Sequence, residues 1–374
     1  MTVVDPSVSG PTEAPDIIVH VDTDGSPIQT VTELIKIFPH SLVPTAASTP
    51  PEVVNAELPS TVYRADDTPD AAAVAAMGST LTQPASQVDS PSTQTADASG
   101  APQNLHGIAY SPYKVVNGRP DCKSMAEVAA DFHTFSGLYG MVRLYGTDCD
   151  QVSKAYAAAK QVNARLFLGL FELGPLENQI SSIIAGVGSD WPVVDTVSVG
   201  NELVNNGRAT PGQVLAAVAK VRALLRAAGY QGPVVTVDTY TAIESHPELC
   251  DFSDYCAFNV HPFFDGAALP EQAGAFLLGK VAQIKSQLSD PSKRLVVTET
   301  GWPWQGTSNG VATAGLVQQR VALSSIKAAF SDNPGSVILF SAFNDLWKRP
   351  EQGTFFAEQW WGIGGAYSAA DSAR

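Results

Sequence analysis

Eight short apolar runs, separated by stretches of helical period, most constrain what this chain can fold into. They read LHGIAY (105–110), GMVRLYG (140–146), ARLFLGL (164–170), DTVSVGN (195–201), PVVTVDT (233–239), DYCAFNV (254–260), RLVVTE (294–299) and SVILFSAF (336–343). Their near-continuous, β-branched character implies that both faces are buried, as in a parallel sheet. Between them lie amphipathic stretches such as VLAAVAKVRALLRAAG (214–229), with Gly229 as the C-terminal cap, and AGLVQQRVALSSIKAAF (314–330). Eight strands, seven helical intervals and about 270 residues predict an α/β fold, a (β/α)8 TIM barrel. The rival, a doubly wound sheet, usually stops at about five to seven strands, and no G-x-G-x-x-G follows the first run.

The preceding residues differ. Residues 1–103 hold thirteen of the twenty-six prolines, twenty-four Ser/Thr, thirteen acidic residues and two basic ones. This segment contributes −11 of the net −15, and such a chain is repelled by phosphate backbones, so nucleic acid is not an expected partner. Residues 82–103 have too little apolar content to offset the entropy of ordering and read as a flexible spacer. Residues 27–38 read as a short strand or helix and VYRADD as a turn, without a separate stable domain. The division expected is an acidic Ser/Thr/Pro-rich extension and linker over 1–103 and a barrel domain over 104–374. No apolar run is long enough for a membrane span. The opening residues lack a basic segment followed by an apolar one. A signal removed from this sequence, a start assigned too late and a cytosolic protein all stay open. No Asn-x-Ser/Thr sequon occurs, and the four cysteines show no zinc-type spacing; they fit either two disulfides or four buried thiols.

Chemistry in such a barrel belongs at the C-terminal ends of the strands. The first run delivers Tyr110 there; the second Arg143, Tyr145 and Asp148; the third Glu172; the fourth Asn201 and Glu202. The fifth gives Asp238; the sixth Asn259, His261, Phe263 and Phe264; the seventh Glu299, Trp302 and Trp304; the eighth Asn344, Trp347 and Lys348. Aromatic rings stack on sugar faces, and amides and carboxylates bond to hydroxyls, so this rim points to a glycan. Glycoside cleavage needs one carboxyl group held protonated and one ionised. Glu202 and Glu299 arrive from nearly opposite sides of an eight-stranded ring. Asp148, Glu172, Asp238 and Asp345 also approach the rim, and spacing alone does not choose among them. Asn201 alone would satisfy a helix cap, which leaves Glu202 unexplained.

The segments VSVGNE and VVTETGWP resemble the two signature segments of glycoside hydrolase family 17, the β-1,3-glucanases. VRLYGTDC, NVHPFF and FNDLWK…AEQWWGI are similar to its fungal branch of soluble cell-wall proteins, over residues 104 to about 367. The resemblance implies a retaining glycosidase with two catalytic residues, Glu202 as acid/base and Glu299 as nucleophile, working on β-1,3-glucan as hydrolase or glucanosyltransferase. It implies Asn201 at the sugar 2-hydroxyl, Arg143 paired with Glu299, and Trp302 walling the subsite beside the reaction centre. Tyr110, Tyr145, Phe264, Trp347 and Lys348 are expected substrate contacts. His261, where plant members carry an aromatic residue, stands between a structural group and a substrate contact. In this frame the loops after the first two strands are neighbours, which favours Cys122–Cys149, with Cys250–Cys256 closing a local loop. Secretion to the cell wall follows, the signal being removed or missing. No cofactor or metal is implied, and oligomeric state is not readable. Alternatives are an exo-acting β-glucosidase of the same family, a cellulase or mannanase on a related barrel, and a catalytically silent glucan-binding wall protein.

Overall fold

The computed structural model describes residues 12–21, 27–37, 105–134 and 136–363. In the N-terminal segment, β1 (Thr12–Val21) pairs antiparallel with β2 (Pro27–Ile37), in a register running from Thr12 against Ile37. Of the two forms expected for residues 27–38, the strand is the one found. The flexible spacer and the VYRADD turn lie outside the described residues.

Eight parallel strands close the barrel. They are β3 (Gly107–Ala109), β6 (Met141–Arg143), β7 (Arg165–Leu170), β8 (Val194–Asn201), β9 (Val234–Thr239), β10 (Cys256–Asn259), β11 (Leu295–Thr300) and β12 (Val337–Leu339). Each of the eight expected runs supplies one, and β12 returns to pair with β3. The strands are buried on both faces, one toward the interior and one toward the helices. The last is shorter than its apolar run, although Phe340 N–H still donates to the Thr300 carbonyl of β11. From there Ser341 N–H donates to the Trp361 carbonyl and Ala342 N–H to that of Ala109, folding residues 340–363 over the mouth.

The intervals are filled by α1 (Met125–Thr134), α2 (Gln151–Val162), α3 (Leu176–Val187), α4 (Pro211–Ala227), the short α5 (Tyr240–Ser245) and α6 (Glu248–Asp251), α7 (Ala273–Lys285) and α8 (Leu316–Ala329). α4 starts three residues before its expected position. The Thr210 side chain accepts from Gln213 N–H, Gln213 reaches back to Thr210 N–H, and Pro211 occupies the first turn. Val214, Val218, Val221 and Leu225 form its buried stripe, and the chain leaves it through Gly229 at φ 93°, which favours glycine.

One element was not anticipated. A hairpin of β4 (Tyr113–Val116) and β5 (Arg119–Cys122) rises after β3. Its turn is Asn117-Gly118, both at positive φ, the pair that suits a two-residue hairpin. Cys122–Cys149 ties the hairpin to the loop after β6, and Cys250–Cys256 closes the approach to β10, the two pairings expected.

Candidate active site

A groove of about 1050 Å³ crosses the C-terminal end of the barrel, lined by residues from the tips and following loops of the strands. Both glutamates line it. Glu299 lies within β11, whereas Glu202 sits just past β8 at φ 55°, in the left-handed region. Gly200 at φ 81° begins the turn, and the β8–β9 register shifts between Ser198 and Asn201. The irregularity re-aims the chain at its tip, so that Asn201 and Glu202 both reach the groove.

Asn259 joins the two carboxylates. Its side-chain amide donates to Glu202 Oε1 at 2.8 Å and to Glu299 Oε1 at 3.0 Å. Those two oxygens therefore lie no more than about 5.8 Å apart. If the two N–H groups of the amide diverge by the usual ~120°, the separation is about 5 Å. Asn259 holds this place through a shift in the β10–β11 register, which sets Phe258 against Val297 but Asn259 against Glu299. Thr298 Oγ1 donates to Asn259 Oδ1 at 2.9 Å, which fixes the amide's orientation.

Arg143 is the cation beneath this arrangement, 1% exposed at the end of β6. Its Nη1 donates to Glu299 Oε1 at 2.9 Å and to the Thr298 carbonyl at 2.8 Å, and its Nη2 to Asn201 Oδ1 at 2.7 Å. The guanidinium lies 4.5 Å from the centre of the Tyr145 ring. His261 Nε2 stands 3.3 Å from Glu299 Oε2. Lys348 pairs with Asp345 and Glu358 and adds positive charge nearby.

These surroundings drive the carboxyl groups apart. Burial, and then the facing Glu299 charge, raise Glu202 above the ordinary carboxyl range. Burial acts on Glu299 in the same sense, but Arg143, His261 and Lys348 outweigh it and hold the group at about 2. One carboxyl is thereby disposed to carry a proton and its neighbour to stay ionised, which is the division glycoside cleavage requires.

The groove gathers Asn201, Tyr145, His261, Phe264, Trp347 and Lys348 beside the two glutamates. Two expected contacts are elsewhere. Trp302 is 0% exposed and donates its indole N–H to the Thr313 carbonyl under the mouth. Tyr110 is 1% exposed, with its hydroxyl on Asp131 of α1 at 2.6 Å. Both rings are packing groups, because their polar tips are satisfied away from the groove. Trp361, brought over by the 340–363 segment, lines the groove where Trp302 does not, 2% exposed and packed behind the rim, its ring 4.9 Å from His261 and 5.7 Å from Phe264. Asn259 and Glu358 also went unassigned. Asn259 was legible as a strand-tip amide, whereas Trp361 and Glu358 fall in the AEQWWGI segment, to which no role was given. Among the described residues no cluster of His, Cys, Asp and Glu has a metal-binding arrangement, and no helix is long and apolar enough to cross a membrane.

Residues 107–362 match the family model of the BtgE/BtgC glycoside hydrolase domain. The cell surface mannoprotein MP65 of Candida albicans is 45% identical over 259 residues, covering 69% of this chain and 66% of that protein. The probable family 17 glucosidase SCW4 of Saccharomyces cerevisiae is 40% identical over 269 residues, 71% of this chain and 67% of that protein. The chain thus spans about two thirds of the length of these relatives. Among solved structures, an active-site mutant of a Rhizomucor miehei β-1,3-glucanosyltransferase in complex with laminaritriose superposes with a TM-score of 0.58. It is 23% identical and covers 70% of this chain and 93% of that one, a likeness of fold.

Proposed function

The chain belongs to the BtgE/BtgC glycoside hydrolase family, within glycoside hydrolase family 17, and from that premise we propose that it is a retaining enzyme acting on β-1,3-glucan. The observation that carries the mechanism is the Asn259 bridge. It keeps the two oxygens within about 5.8 Å, short of the ~6.5–9.5 Å of an inverting pair and close to the ~5–5.5 Å of a retaining one.

In this reading ionised Glu299 attacks the anomeric carbon as Glu202 gives its proton to the departing glycosidic oxygen. The carbon–oxygen bond breaks and a glycosyl ester forms on Glu299. Glu202, now a carboxylate, takes a proton from water or from a sugar hydroxyl. The oxygen so activated attacks the same carbon and releases Glu299. Asn201 has its carbonyl oxygen held by Arg143, which leaves its N–H groups to donate to the sugar 2-hydroxyl. Phe264 and Trp347 offer faces for sugar rings. The catalytic domain spans 104–374, and the acidic extension acts as its spacer at the cell surface. The two disulfides and the name of the Candida relative support that location.

Incubation with β-1,3-gluco-oligosaccharides, followed by mass spectrometry, tests the assignment. Shorter products alone mean hydrolysis, glucose alone means exo-action, and longer products mean transfer. Turnover of cellulose or mannan but not of β-1,3-glucan, or no turnover at all, would overturn it.

A further inference from the structure

We propose that Asp238 is a positioning residue for the acid/base: its buried carboxylate clamps the turn that carries Glu202 and aims that side chain at the glycosidic oxygen. The inference rests on the reading of Glu202 as proton donor.

Asp238 is next to last in β9 and 2% exposed. Its Oδ2 accepts from Val204 N–H at 2.9 Å, and its Oδ1 accepts from Asn205 N–H at 3.2 Å and Thr239 N–H at 2.9 Å. Two of these donors belong to the turn that follows Glu202, on a different strand's loop. The carboxylate therefore ties the tip of β9 to the chain leaving β8. Glu202 itself is pinned by donation of its N–H to the Val237 carbonyl at 3.0 Å, and its own carbonyl accepts from Asn206 N–H at 3.1 Å. Between these anchors it holds a φ of 55°, a conformation that a side-chain-bearing residue keeps only where its surroundings over-determine it.

The chemistry of the clamp is specific. Each carboxylate oxygen receives a backbone N–H, so a carboxamide would set its own NH2 against one of them. A buried charge is costly, and burial raises the Asp238 carboxyl, while the bonds from Val204, Thr239 and Asn205 oppose that rise. Its hydrogen bonds among the described residues all run to backbone amides, so the charge is spent on the turn. Asp238 also adds to the negative field at Glu202, which faces Glu299 of β11 and, from β10 and its following loop, Asn259 and His261; His246 acts on Asp238 from beyond α5.

The test compares kcat/KM on a β-1,3-gluco-oligosaccharide with kcat/KM on dinitrophenyl β-laminaribioside, using the full chain. Dinitrophenolate leaves without a proton, so only the first substrate needs the acid. The ratio of the two is independent of how much enzyme is correctly folded. Glu202→Gln should lower the oligosaccharide value by about 10³-fold and the aryl value by under about tenfold. Asp238→Asn should show the same selectivity, with a loss of about 10²-fold on the oligosaccharide, as expected for a misplaced catalytic group. The upper limb of its pH profile should move to lower pH, since a negative charge facing Glu202 is gone. Asp238→Ser serves if the first variant is poorly folded. A normal ratio in both Asp238 variants, with an altered one in Glu202→Gln, would make Asp238 structural and overturn the inference. A normal ratio in Glu202→Gln would remove the proton-donor assignment, and the inference with it.

Discussion

Replacement of Arg143 by methionine isolates the charge that keeps Glu299 ionised. The change keeps an unbranched side chain of similar reach inside the barrel but removes the 2.9 Å ion pair and the 2.7 Å bond to Asn201. Glu299 is 6% exposed and held at about 2 against an ordinary value of 4.5. Returning it to that value corresponds to roughly 3 kcal/mol. Burial then pushes the group up, opposed only by His261 and Lys348. The wild-type enzyme should stay active to acid pH for as long as it remains folded. Arg143→Met should acquire an acid limb in kcat/KM at higher pH than the wild type, with a lower plateau because Asn201 is loosened. The stability consequence has a definite sign. A carboxyl depressed in the folded state contributes stability present above 4.5 and lost as pH falls toward 2. The stability gap between the two proteins should thus be of the order of 3 kcal/mol near neutrality and narrow toward pH 3. Kinetics on an oligosaccharide across pH, with denaturant unfolding at neutral and acid pH, measure both. An unmoved acid limb together with a pH-independent gap would refute the electrostatic reasoning.

Other outcomes can be checked alongside. Serine at both Cys122 and Cys149 should cost about 3.5 kcal/mol for a loop of 27 residues, and the Cys250–Cys256 pair, 6 apart, about 2 kcal/mol, read from denaturant midpoints; unchanged midpoints would contradict bridges that constrain the unfolded chain. Phe264→Ala, which trims a ring on the groove wall, should raise KM about three- to tenfold with kcat nearly unchanged, the worth of one stacking contact. Trp302→Ala should do the reverse, lowering stability by about 3–5 kcal/mol while the surviving folded enzyme keeps its KM; a KM effect without a stability effect would return Trp302 to the groove.

Much of this could be read before the fold was seen, for a physical reason. Strands buried on both faces cannot hide their apolar pattern, so all eight were visible, and the rule that barrel chemistry sits at strand tips brought Glu202 and Glu299 to one end. What stayed hidden depends on register and on long loops. Asn259 reaches both glutamates because of a one-residue slip between β10 and β11, and no spacing within one segment encodes a slip between two. Tyr110 and Trp302 follow their strands as plausibly as any rim aromatic, yet Asp131 and the Thr313 carbonyl draw their polar tips into the protein. Trp361 enters the groove only because residues 340–363 fold back across the mouth. The Asn117-Gly118 turn and the Thr210–Gln213 capping box were, by contrast, local signals open to reading.

The proposed mechanism requires a covalent glycosyl-enzyme on Glu299. Inactivation with a 2-fluoro glycoside bearing an activated leaving group, followed by proteolysis and mass spectrometry, tests it directly. The expected result is a single added glycosyl group on the peptide containing Glu299, slow to turn over in water and faster with an acceptor sugar. A label on another residue, or products released with inverted anomeric configuration, would contradict it.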